Sequence, residues 1–127
     1  NWRKARGPSL SVEQQQRREH LLAAAPIIDQ PLQQQRFVVL DLETSGLNTN
    51  RDLVLSIGAI VIDDGAIDFG QQFESTLQRD IQPSHDNVLI HGLGPSAIAA
   101  GVAPAEALLA CMEFIGASPV LARLSAQ

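Results

Sequence analysis

Apolar and polar positions fall into three textures along this chain. Residues 1–35 are polar and Gln-rich, with Gln-Gln-Gln at 14–16 and again at 33–35. Within the stretch from Val12 to Ala25 the apolar residues gather at one end, Leu21, Leu22 and Ala23 to Ala25, rather than forming a stripe. From Arg36 onward, short apolar bursts alternate with turn residues, and after Pro83 the texture turns helical.

These textures predict elements. Val12 to Ala25 consists of good helix formers, with Ser11 as an N-cap and Pro26 as a stop. Phe37-Val38-Val39-Leu40 is a continuous apolar run, the signature of a central strand buried on both faces. Leu53 to Ile62 is a second strand, rich in β-branched residues, and Asp63-Asp64-Gly65 is a turn. Ala66 to Thr76 has a loose period of two and completes an antiparallel meander. Pro95 to Ala100 predicts a short helix closed by Gly101. Pro104 to Ile115 predicts a longer one, with Pro104 in the first turn, Glu106 near the positive end and Gly116 as C-cap. Cys111 and Met112 are expected in or near the core. Pro119 to Ala122 is a last short buried strand, able to lie beside the first through a crossover helix. The fold class is thus α/β with a mixed sheet. Residues 1–35 form a helical extension and connector, and 36–127 form the body.

Composition narrows the class. The 127 residues are 45% apolar and 18% charged, a globular balance sufficient for one core. No apolar run approaches the ~20 residues that span a bilayer, and the expectation is a cytoplasmic protein with no membrane partner. Cys111 is the sole cysteine, which excludes an internal disulfide framework and a cysteine-rich zinc site. The net charge of −5 is uneven. Residues 1–35 carry five basic and three acidic residues, whereas residues 36–127 carry four basic and eleven acidic. An acidic body argues against coating nucleic acid by charge alone, but it leaves open the binding of one strand end through metal ions. The N-terminal helix is expected to pack on the body.

The candidate chemistry lies in V-V-L-D-L-E-T-S-G-L, residues 38–47. In an extended backbone Asp41 and Glu43 point to the same side. Adjacent carboxylates disfavour each other's ionisation, and a hard divalent cation, Mg²⁺ or Mn²⁺, removes that penalty. Thr44-Ser45-Gly46 adds hydroxyls, N–H groups and a flexible turn where a substrate can approach. Four further acids (Asp52 before strand two, Asp63 and Asp64 in the hairpin, Asp68 in strand three) are expected to be solvated turn or edge residues.

The segment resembles the first motif of the DEDD 3′–5′ exonucleases, in particular the group containing the DNA polymerase III epsilon subunit and ribonuclease T. R-D-L-V-L-S-I-G-A-I-V-I-D-D-G is similar to that family's second strand and turn, and I-H-G-L at 90–93 to a further family segment. P-A-E-A-L-L-A-C-M-E-F-I-G followed by P-V-L-A is similar to the helix and strand that lead to its second motif. The resemblance implies a ribonuclease H-like fold and two-metal hydrolysis of a phosphodiester at the single-stranded 3′ end of DNA or RNA. It implies that Asp41 and Glu43 are catalytic and bind Mg²⁺ or Mn²⁺. Thr44, Ser45, Gly46 and Leu47 would hold the terminal nucleotide, and Ile90 and His91 would line its pocket.

Two of the family's four acids have no counterpart. After Ala122 the chain reads R-L-S-A-Q, where the second-motif Asp belongs. The residues five beyond His20, His85 and His91 are Ala25, Ile90 and Ser96, so no His-x-x-x-x-Asp exists, and there is no Tyr for the variant motif. The expectation is the N-terminal half of an exonuclease domain, inactive by itself and continued in a longer chain, with a polymerase as a possible partner. The alternative is a degenerate, non-catalytic fold that acts as an interaction module, for instance as a homodimer. A haloacid-dehalogenase-type phosphatase, which also opens with Asp-x-Asp-x-Thr at a strand end, fits less well, because Glu43 stands at its third position and an antiparallel strand follows.

Overall fold

The computed structural model describes residues 10–23, 31–48, 50–79 and 100–126. They comprise helix α1 (Val12–Glu19), strands β1 (Phe37–Thr44), β2 (Val54–Asp63) and β3 (Ala66–Thr76), helix α2 (Pro104–Ile115) and strand β4 (Val120–Ala126). A single 3₁₀ turn at Leu32–Gln34 leads into β1. The four strands form one sheet in the order β3-β2-β1-β4. The β1–β2 and β2–β3 pairs are antiparallel, and β4 runs parallel to β1. This is the mixed α/β sheet expected from the sequence, consistent with a ribonuclease H-like fold. The expected helix at Pro95 to Ala100 lies almost entirely outside the described residues.

The sheet has one packed face. Along β2, Leu55, Ile57, Ala59 and Val61 are buried and alternate with half-exposed residues. Ile57 and Leu77 pack with Ala107 and Cys111 of α2, joined by Leu40, Leu42, Phe73 and Ile115. Val38, Ala59 and Val61 continue the layer towards Phe114 and Ile115. Burial pushes the Cys111 thiol above its ordinary value, which keeps it a small apolar core residue rather than a nucleophile. Met112, by contrast, is half exposed, because it lies on the solvent side of α2.

Turn chemistry fixes the connections. Asp64 and Gly65 both have positive φ, as a two-residue hairpin of this hand requires. Gly101 is needed for close approach: a Cβ there would lie 2.6 Å from the Thr76 carbonyl oxygen, where the chain entering α2 bridges Leu77 to Val102. Gly116, at φ 58°, ends α2 and donates to Met112 O at 3.0 Å.

Three boundaries differ from the sequence expectation. β1 runs on through Asp41–Thr44, because both its neighbours continue the ladder. β4 extends to Ala126 and is exposed, not buried, because it is the outer strand among the described residues. Helix α1 ends at Glu19 rather than Ala25. It has the Ser11–Gln14 capping box but buries no residue. Its attachment to α2 is electrostatic. Arg17 reaches Glu106 at 2.6 Å and Glu113 at 2.5 Å, and Gln14 donates to Glu106 at 3.3 Å. Arg17, then Gln14, hold the Glu106 carboxyl below its ordinary 4.5.

A carboxylate with a lowered folded-state pKa contributes stability that is present above its unfolded value and lost as pH falls through the folded one. The α1 dock is therefore expected to open as pH falls through the lowered Glu106 value, below the ordinary 4.5, and also in ~1 M salt, where the screening length shrinks to about 3 Å. Amide exchange across Val12–Glu19 measures this. Arg17→Ala should give fast exchange at neutral pH while leaving the thermal midpoint of the body in place. Slow exchange in that variant would contradict an electrostatic dock.

Candidate active site

The parity of β1 builds the site. Val38, Leu40 and Leu42 face α2, so Val39, Asp41 and Glu43 face the other way. No helix among the described residues covers that second face. Asp41 is exposed, and Glu43 is half-buried with Oε2 shielded from solvent. Both line one open groove with Ser56, Gly58, Glu74 and Thr76. The cross-strand register explains the lining. Asp41 pairs with Gly58, which pairs with Glu74, while Glu43 pairs with Ser56, which pairs with Thr76.

Gly58 is the floor between two acids. A Cβ there would meet only the Asp41 carbonyl oxygen, at 3.9 Å, and would otherwise project into open space. Its missing side chain keeps the groove open between Asp41 and Glu74. On the other flank Arg123 of β4 stands opposite Asp41, and Ser125 opposite Glu43.

Glu74 was not singled out by the sequence reading. A bulge decides its position: Val61 pairs with Asp68 but Ile60 with Gln72, so Phe69, Gly70 and Gln71 are extra. An odd insertion reverses which face the following residues occupy. Uninterrupted alternation would turn Glu74 away from Asp41. The Asp68 carboxylate secures the bulge by accepting from Gly70 N at 2.9 Å and Gln71 Nε2 at 2.8 Å.

The turn after Glu43 is tightly specified. Thr44 is buried, and its hydroxyl reaches Gly46 O at 2.7 Å and Ser125 O at 3.1 Å. Ser45 is bonded twice to the strand-entry residue: its N–H donates to Leu53 O, and its hydroxyl oxygen accepts from Leu53 N. Leu47 projects 71% exposed. Asp52, expected as a solvated loop acid, instead has a side chain only 12% exposed. It accepts from Asn48 N at 2.8 Å and from Ser45 Oγ at 3.1 Å. The Asn48 N–H, opposed by burial and assisted by Ser45, holds its carboxyl below the ordinary 3.8. A signal existed in the sequence, since Asp and Asn at loop ends bond to nearby backbone N–H groups.

The structure thus brings Asp41, Glu43 and the 44–47 turn to one end of one face. Ile90 and His91 lie outside the described residues. Asp63 and Asp64 sit at the hairpin end, away from the groove. Asp41 and Glu43 are hard oxygen donors on one face, the donor type that Mg²⁺ or Mn²⁺ takes. Among the described residues no group of three or more His, Cys, Asp or Glu side chains is close enough to hold a metal, so Glu74 lines the groove without completing a ligand set.

Comparison with known proteins agrees with this geometry. No curated protein matches the chain. A family model described as exonuclease, of the ribonuclease T type, matches residues 38–125, from β1 through β4. The matched span holds Asp41, Glu43, the groove and all of the sheet but its two end residues, Phe37 and Ala126, and the chain belongs to this exonuclease family.

Proposed function

We propose that this domain is that of a metal-dependent 3′–5′ exonuclease, similar to the epsilon-subunit group, acting on the single-stranded 3′ end of DNA or RNA. The observation that carries the reading is the Asp41–Glu43 pair on the open face of the central strand, inside the family match. Asp41 and Glu43 would hold Mg²⁺ or Mn²⁺, which when bound activates water and stabilises the leaving 3′-oxygen. The chain's own residues orient the substrate. Gly58 leaves space for the sugar-phosphate, and the 45–47 turn offers the exposed Leu47 side chain to the terminal nucleotide. Ile90 and His91 are proposed to border the base.

The family's other two acids and its His base have no counterpart in this sequence. The proposal is therefore weak metal binding and nucleotide release near background from the 127-residue chain alone. A fusion supplying the second and third motifs from a family member should release terminal nucleotides from a labelled oligonucleotide in Mn²⁺. Asp41→Ala or Glu43→Ala should then lower the rate at least about a hundredfold, the scale of losing several kcal/mol of charge stabilisation. Release indifferent to both substitutions would contradict the proposal.

A second reading, a non-catalytic homodimer module, is favoured by β4. Among the described residues nothing pairs with its outer edge, and Leu121 and Leu124 are 52% and 59% exposed. Gly58→Val separates the two readings. Valine suits a strand, and the Cβ position is free of clash, so the variant should fold. It should lose oligonucleotide and nucleotide binding if the groove is the working surface. If the chain is a dimer through β4, sedimentation of the variant will be unchanged while nucleotide has no effect on either protein.

A further inference from the structure

Resting on the reading of the 45–47 turn as the nucleotide-contacting segment, we infer that Asp52 is its positioning residue: its carboxylate fixes where Leu47 stands relative to Asp41 and Glu43.

The geometry is that of a hub. The loop between β1 and β2 is polar apart from Leu47 and Leu53, and an exposed Leu47 gains nothing from the fold itself. Only local bonds can hold such a loop in one shape. Thr44 Oγ1 to Gly46 O and Ser45 N to Leu53 O hold its first residues, and the bonds that span Leu47 meet on Asp52. One carboxylate oxygen accepts from the Asn48 N–H beyond Leu47, and the other accepts from the Ser45 hydroxyl before it. The Asp52 N–H donates back to Asn48 O at 2.7 Å, closing a reciprocal pair. Ser45 in turn accepts from Leu53 N at 2.9 Å, which ties the hub to the start of β2. Gly46 completes the arrangement, because a Cβ at that position would stand 2.4 Å from Asp52 Oδ2. The carboxylate thus occupies the space that a side chain at position 46 would need.

Asp52 touches neither carboxylate of the proposed metal pair, so its effect on the site is indirect. Removing it should free residues 45–48 and spare metal binding. Asparagine can keep the arrangement: its Oδ1 accepts from Asn48 N and its amide donates to Ser45 Oγ.

The test uses the 127-residue chain, with Mn²⁺ alone and then with deoxyadenosine 5′-monophosphate in Mn²⁺. Affinities are read by Mn²⁺ resonance titration and by amide shifts. Asp52→Ala should weaken the nucleotide about tenfold, the lower end of what outer-shell support contributes, and leave Mn²⁺ affinity unchanged. Asp52→Asn should recover most of the loss. Gly46→Ala should also weaken the nucleotide, yet Gly46→Ala combined with Asp52→Ala should be no weaker than Asp52→Ala alone, since the clash has gone. Unchanged nucleotide affinity in Asp52→Ala would overturn the inference. So would a parallel loss of Mn²⁺ and nucleotide, which marks general destabilisation. Absence of nucleotide binding in the unsubstituted chain would instead remove the reading of the 45–47 turn as the nucleotide-contacting segment, and the inference with it, while the fusion assay tests the exonuclease reading separately.

Discussion

Two carboxylates placed two residues apart on a strand must share a face. The fold around β1 is organised so that this face is the one left open. Val38, Leu40 and Leu42 give β1 an apolar side, which α2 and the alternate residues of β2 cover. Burial of that side fixes the strand's rotation, and the rotation fixes where Asp41 and Glu43 point. A slip of one residue would put both carboxylates beneath α2, a cost no helix packing could offset. The core and the site are therefore two consequences of one alternation.

The neighbouring strands then shape what the pair can do. Gly58 opposite Asp41 contributes space, and Ser56 opposite Glu43 contributes a hydroxyl. The three-residue bulge in β3 brings Glu74 to the same row and adds negative potential to the groove wall. The body's excess of acidic residues thus includes three carboxylates along one groove. A divalent cation would partly neutralise them, and a nucleic-acid strand would otherwise be repelled. Helix α1 does not offset this charge, because Glu13 and Glu19 balance its two arginines and Arg17 is engaged with Glu106 and Glu113 on α2, the helix that covers the opposite face.

Much of this was legible in the sequence. Period-two and period-3.6 patterns with Pro and Gly at the ends placed β3 and α2 at their observed bounds, because local chemistry sets those ends. The parallel return of β4 beside β1 also followed from the element order. What escaped were properties set by partners. Polar Asp41–Thr44 stay in strand conformation because two flanking ladders satisfy the backbone, which a count of apolar residues does not register. β4 has the composition of a buried strand but lies at the sheet edge. The bulge, and with it Glu74, depends on β2–β3 register. Asp52 looked like an ordinary loop acid because its partners are backbone groups and a single hydroxyl. Helix α1 stops at Glu19 with no residue buried, so no packed apolar face carries it further.

The central claim is that the open face of β1 binds a hard divalent cation at Asp41 and Glu43. Paramagnetic broadening by Mn²⁺ tests it most directly, residue by residue, on the chain as it stands. The account predicts that substoichiometric Mn²⁺ broadens Asp41, Glu43, Ser56 and Gly58 first and spares Ala107 and Cys111 on the far side of the sheet. It also predicts that the pattern disappears in the variant carrying both Asp41→Ala and Glu43→Ala. Broadening centred elsewhere, or unaltered in that variant, would contradict it.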